Sequence, residues 1–259
     1  MSANRPDLSD ANVFAGPERI RDAYRDAGVA RQYVHNRFEQ PLGRLLHRRQ
    51  VRTITELLAA RRPHDVLEIA PGPARVTADV AAAWPAGGTI VDASAQMLEE
   101  ARRRLASFAG RWRLIQGDAF NLPLEARFDF AYSFRLIRHF GDEDRARLYA
   151  QIGRVITPGG LFVFDAVNAV AAESIRRRAR PGAYRHYDAL LDRRALVAEL
   201  DAAGFDLVAL HGVQHRFSWM YPVQVLVAPR APRLATTAMA LIDQCGGEPL
   251  KWIVVCRRR

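Results

Sequence analysis

The chain has only two cysteines, Cys245 and Cys256, in 259 residues. Two thiols cannot staple a domain of this size, and neither stands at metal-ligand spacing, so we expect both to be free and no metal to be bound. A run of about 20 apolar residues, the length that crosses a membrane as a helix, is also missing, and no charged-then-apolar leader opens the chain. A soluble, cytoplasmic protein is expected. Lysine is nearly absent: of 38 Lys and Arg, only Lys251 is lysine. With abundant alanine, this reads as arginine spread over the whole chain, so the net charge of +10 says little about a polyanionic partner. The densest runs, Arg102-Arg103-Arg104, Arg176-Arg177-Arg178-Ala179-Arg180 and Arg257-Arg258-Arg259, read as solvated surface, the first on a helix that buries Met97, Ala101, Leu105 and Phe108.

What is present is a 49% hydrophobic chain, enough for one large core with additions rather than two domains. Its most informative stretch is Val66-Leu67-Glu68-Ile69-Ala70-Pro71-Gly72-Pro73-Ala74-Arg75-Val76-Thr77, an apolar strand that runs into a tight turn of small residues and then a helix. Pro71, Gly72 and Pro73 fix a sharp bend that keeps bulky side chains from a ligand. Asp92 ends the next apolar strand, Thr89-Ile90-Val91, twenty residues beyond Gly72, the offset at which a βαβ unit places a ribose-binding carboxylate. The loop does not fit the G-x-G-x-x-G pattern of nicotinamide and flavin sites, because those positions hold Ala70, Gly72 and Arg75. A pyrophosphate needs several bare backbone amides, and Arg75 at the third position is expected to crowd the helix against the strand. The ligand is therefore read as a nucleoside without a pyrophosphate.

Taken together, Glu68-Ile69-Ala70-Pro71-Gly72-Pro73-Ala74 resembles motif I, E-x-G-x-G-x-G, of the class I S-adenosylmethionine-dependent methyltransferases, with Ala70 and Ala74 in place of two glycines. The resemblance continues through Asp92 to Met97, through Gln116-Gly117-Asp118-Ala119-Phe120, through Phe128 to Ser133, and through Pro158-Gly159-Gly160 into an apolar strand. Five landmarks in order cover about residues 64 to 165. The resemblance implies an α/β fold, with a doubly wound, mostly parallel seven-stranded sheet, helices on both faces and an antiparallel last strand. It implies S-adenosyl-L-methionine as cofactor and S-adenosyl-L-homocysteine as product. By the same likeness the cofactor site comprises Glu68, Ala70, Gly72, Pro73, Asp92 with Ala93, Met97 against the adenine, Asp118 on its amino group, Ala119, Phe120 and Ser133.

Around this core, residues 1 to 62 read as a polar tail followed by a helical lid, in which Leu42, Leu45, Leu46, Ile54, Leu57 and Leu58 recur at helical offsets between Pro41 and Pro63. Residues 63 to 259 form the cofactor-binding domain. Strands are expected at 65–70, 88–92, 112–116, 128–133, 160–165, 205–212 and 252–256. Asp192 caps a helix that buries Leu196, Val197 and Leu200 and ends at Gly204. Residues 213 to 250, with a helix over 234–244, are an insertion whose aromatic content suits a substrate cover or a homodimer contact.

For chemistry, the segment Phe134 to Phe140 follows strand four at the carboxyl edge, where open α/β sheets bind ligands. His139 is the general-base candidate, with a structural role beneath the cofactor as the alternative. Arg135 and Arg138 could hold an acidic substrate. In the lid, Tyr33 and Arg37 share a helix face, and similar small-molecule enzymes close such residues over the cofactor carboxylate. Tyr24, Tyr184 and Trp219 complete the pocket candidates. The reaction expected is methyl transfer to a small-molecule acceptor in specialised or cofactor biosynthesis, on oxygen, nitrogen or carbon. The alternatives are an RNA-modifying enzyme, which the missing N/D-P-P-Y/F/W signature after Tyr132 disfavours, and a cofactor-binding cyclase or decarboxylase that moves no methyl.

Overall fold

The computed structural model describes residues 40–125, 127–177 and 188–259. The lid candidates Tyr24, Tyr33 and Arg37 and the pocket candidate Tyr184 lie outside them. The chain enters on helix α1 (Pro41–Arg61), with proline at its first turn, where a missing N–H costs nothing. Next come β1 (Val66–Ile69), α2 (Arg75–Ala83), β2 (Gly88–Asp92), α3 (Ala95–Arg104), β3 (Trp112–Gln116), β4 (Phe128–Ser133) and α4 (Asp142–Val155). The second half runs β5 (Ile156–Asn168), α5 (Ala169–Arg177), β6 (Leu190–Leu191), α6 (Arg193–Ala202), β7 (Phe205–His215), α7 (Phe217–Pro222), α8 (Pro232–Gln244) and β8 (Pro249–Arg258).

The sheet order is β3-β2-β1-β4-β5-β8-β7, with β6 paired to β5. All pairings among β1 to β6 are parallel, and β8 runs antiparallel to both β5 and β7. The expected seven strands become eight because of the two-residue β6, too short to leave a periodic signal in sequence. The order reverses direction between β1 and β4, and at such a switch point the crossovers leave to opposite sides and open a crevice.

Side chains alternate across the sheet as the pleat requires. On one face Leu67, Ile69, Ala131, Trp252, Val254 and Cys256 pack beneath α4 and α6. On the other, Val66, Phe130, Tyr132, Ile253 and Val255 meet α1, α2 and α3. Asp192 caps α6 by accepting from the Ala195 N–H at 2.7 Å. Leu196 and Leu200 are buried as expected, but Val197 is 40% exposed, because it lies off the stripe that faces the sheet.

The insertion folds back on α1. Met220 and Met239 join Leu42 and Leu45 in a separate small core. The fully buried Asp243 accepts from Arg49 Nη2 at 3.0 Å and from the His215 N–H at 2.9 Å, tying α8 to α1 and β7. Both cysteines are free, and among the described residues no cluster suited to a metal and no helix long and apolar enough to cross a membrane occurs.

Candidate functional site

The turn after β1 takes its shape from three departures into left-handed backbone, at every second residue. Ala70, Gly72 and Ala74 have φ of 52°, 58° and 53°. Alanine in this region carries strain of about 1–2 kcal/mol, so the sequence keeps the geometry of a glycine loop at two positions without the glycines. At Gly72 a Cβ would meet only Met97 Sδ, at 3.9 Å, which leaves the backbone open to the space beside it. Asp92 fixes the turn: its Oδ2 accepts from the Gly72 N–H and its Oδ1 from the Ser94 N–H, each at 2.9 Å. Burial pushes the Asp92 carboxyl up to about 6, against the pull of those two amides. Glu68, deeper in the sheet, is pushed up to about 7, again by burial first, with the Thr77 hydroxyl that donates to it acting the other way.

These groups border a cleft of about 1100 Å³, open mouth included, over the carboxyl ends of β1, β2 and β4. Of the expected cofactor residues, Glu68, Ala70, Gly72, Asp92, Ala93, Met97, Asp118, Ala119 and Phe120 share its wall, and so does His139. Asp118 Oδ1 accepts from the Phe120 N–H at 3.0 Å, and Phe120 meets Phe140 edge-on at 5.0 Å. Two carboxylates at neighbouring strand tips with a flat apolar wall of Met97, Ala119 and Phe120 match the donors and the ring faces of a nucleoside.

Four expectations need correcting. Ser133 is buried and off the cleft: its hydroxyl donates to the Ile69 carbonyl at 2.7 Å, pinning β4 to β1. Pro73 turns away too, its carbonyl accepting from Arg104 Nη1 at 2.8 Å. Trp219 is 58% exposed under the Arg216 guanidinium and borders neither this cleft nor its neighbour. Nor does Arg75 crowd the helix. Its guanidinium swings to α1, where Nη2 donates to Gln50 Oε1 at 2.8 Å and Nη1 meets His47.

Beyond Arg135 lies a second cavity of about 920 Å³, open mouth included, between β5, β8, α1 and the start of the insertion. Arg135 borders both spaces. Its backbone is left-handed (φ 67°) and its N–H donates to Asp165 Oδ1 at 2.5 Å. Arg138 borders only the second cavity; its guanidinium lies between Asp165, at 3.6 Å, and Asp188, at 3.0 Å. His139 stands back to back with it, Nδ1 3.4 Å from the same Asp188 oxygen. Sequence reasoning missed this cavity. Gln214, Phe217, Lys251 and Arg176, which help line it, belong to four different elements and share no local pattern.

A sequence profile of the family described as "methyltransferase domain" matches residues 66–160. No curated protein matches the chain. Among solved structures, the chain is similar to a magnesium protoporphyrin IX methyltransferase from Synechocystis PCC 6803 with bound S-adenosylhomocysteine, at 13% identity and a TM-score of 0.64, over 94% of this chain and 99% of that one. It also resembles an S-adenosylmethionine-dependent methyltransferase from Clostridium acetobutylicum ATCC 824, at 13% identity and a TM-score of 0.59, over 80% of this chain and 90% of that one. A glycopeptide N-methyltransferase complexed with sinefungin matches at 21% identity and a TM-score of 0.53, over 81% of this chain and 93% of that one.

Proposed function

We propose that residues 66–160, which match a methyltransferase-domain profile, work as an S-adenosylmethionine-dependent methyltransferase domain, and that the protein methylates a small organic acceptor held in the second cavity, beside the cofactor cleft. The observation that carries this reading is the shared wall. Arg135 separates the two spaces, and α1 with the insertion roofs the second, a size and enclosure suited to a small molecule.

The cofactor supplies a methyl carbon already activated by a positively charged sulfur, so the protein has placement and water exclusion to provide. Asp92 and Gly72 would hold the ribose end of the cleft, and Met97, Ala119, Phe120 and Asp118 the base. His139, on the cleft wall next to Asp188, would take a proton from an acceptor hydroxyl or amine that reaches past Arg135 into the cleft, with Asp188 orienting its ring. We take residues 63–259 as the catalytic unit and the preceding segment as its cover. Its place of work would be the cytoplasm, where the cofactor is used.

Incubating the purified protein with methyl-labelled S-adenosylmethionine and panels of small acids, phenols and amines should yield S-adenosylhomocysteine with at least one panel. Cofactor binding with no product from any of them, or product with RNA alone, would overturn the reading.

A further inference from the structure

Lys251, the sole lysine of the chain, borders the second cavity. It lies on β8 opposite Val167 and Val213, and among the described residues its ammonium has neither a hydrogen-bond nor an ion-pair partner. Burial, then the guanidiniums of Arg138 and Arg135, push it down to about 7, while Asp165 and Asp188 act the other way. Both of those carboxylates already face Arg138. Among the described residues the charged wall sets Lys251 beside Arg135, Arg138 and Arg176, with Asp188 and, behind it, Asp165 facing Arg138.

A second lining residue points the same way. Gln214 is 3% exposed, and its backbone is left-handed (φ 64°). Its Nε2 donates to the Leu42 carbonyl at 3.1 Å, which fixes the amide orientation and leaves Oε1 without a hydrogen-bond partner among the described residues. Leu46, Val167 and Phe217 supply apolar walls.

We propose that the second cavity receives the acceptor as a small organic acid, its carboxylate paired with Lys251 and its apolar body against Leu46 and Phe217. Gln214 Oε1 then accepts a hydroxyl or amino proton of the same molecule. A half-buried cation beside like charges is costly. An anion removes that cost and keeps two hydrogen-bonding groups from standing idle. The inference rests on the methyltransferase reading above for the word acceptor, and on the cavity alone for the charge of its ligand.

Because the chain has one lysine, amine acylation reports on this site directly. The full-length protein, saturated with S-adenosylhomocysteine, would be treated with acetyl N-hydroxysuccinimide ester at pH 7.5 and mapped by mass spectrometry. The probes are benzoate, 4-hydroxybenzoate and 4-hydroxyphenylacetate, each against its neutral amide. At least one acid should slow Lys251 acetylation fivefold or more, leaving the N-terminal amine unaffected, while its amide slows it less than twofold. The same acid should raise the Tm of the wild type but not of Lys251→Met. Protection by none of the acids, or equal protection by acids and amides, overturns the proposal. Absence of any S-adenosylhomocysteine binding would instead overturn the methyltransferase reading, and the labelling, repeated without that compound, still judges the ligand's charge.

Discussion

Asp92 does two things with one carboxylate. Its oxygens hold the Gly72 turn and the start of α3 by accepting from two backbone amides, and spare lone pairs face the cleft. Hydrogen bonds to a charged group are worth about 1.5–3 kcal/mol each, so Asp92→Ala should weaken S-adenosylhomocysteine binding at least tenfold in calorimetry. Unchanged affinity would place the ribose elsewhere. Ribose hydroxyls donate better to an ionised carboxylate than to a protonated one, so binding lowers the carboxyl's pKa from its value of about 6. Affinity should therefore rise with pH through that value and fall below it, and Asp92→Asn should flatten the curve.

Glu68 obeys the same logic in stability. Its folded value of about 7 lies above the unfolded one, so the native state binds the extra proton between pH 4.5 and 7, and stability declines as pH rises across that window. Compared with wild type, Glu68→Gln should gain stability steadily between pH 5 and 8, by roughly 2–3 kcal/mol at the upper end. Denaturant midpoints at the two pH values check this. His139→Gln should cut kcat at least a hundredfold with cofactor affinity intact if the ring moves a proton. A loss of stability without that split would assign it to positioning.

At the scale of elements, a buried carboxylate ties the insertion down beside its small apolar core. Asp243 is reached from α1 by Arg49 and from β7 by His215, and removing one side of such a pair strands the other. Asp243→Ala should cost about 3 kcal/mol and, by loosening the roof of the second cavity, raise KM for the acceptor more than it changes cofactor affinity. The α-helix over 234–244 and its apolar face were legible from spacing, because a 3.6-residue period is a local property. That the face would land on Leu42 and Leu45 was not, since nothing in either segment names its partner. Trp219 shows the same limit. Aromatic character suggested a pocket wall, yet the residue lies in the open, where its ring stacks under Arg216.

For the whole molecule, cofactor binding to the native state alone adds RT ln(1 + [L]/Kd), about 2.7 kcal/mol at a hundredfold excess over Kd. For a chain of this size that amounts to roughly 5–10 °C in Tm, and a scan with S-adenosylhomocysteine should show it. Strand positions and the cofactor turn were readable because apolar alternation, a proline-flanked glycine and an acid at a strand tip each follow from nearest-neighbour geometry. Even the two alanines standing for glycines could be recognised, though only the φ values show that they carry the strain.

What the sequence alone determined, then, is what local spacing sets: the order of the seven longer strands, the bend at Gly72, and the acids Asp92 and Asp118 that follow it. Tertiary structure decided what faces what. The direction taken by Arg75, the inward turn of Ser133, and the meeting of Lys251, Gln214 and Arg138 in one cavity depend on sheet order and helix packing. Those bring together residues from 25 positions apart, as in Arg75 and Gln50, to more than a hundred, as in Arg138 and Lys251, at separations that no local period encodes.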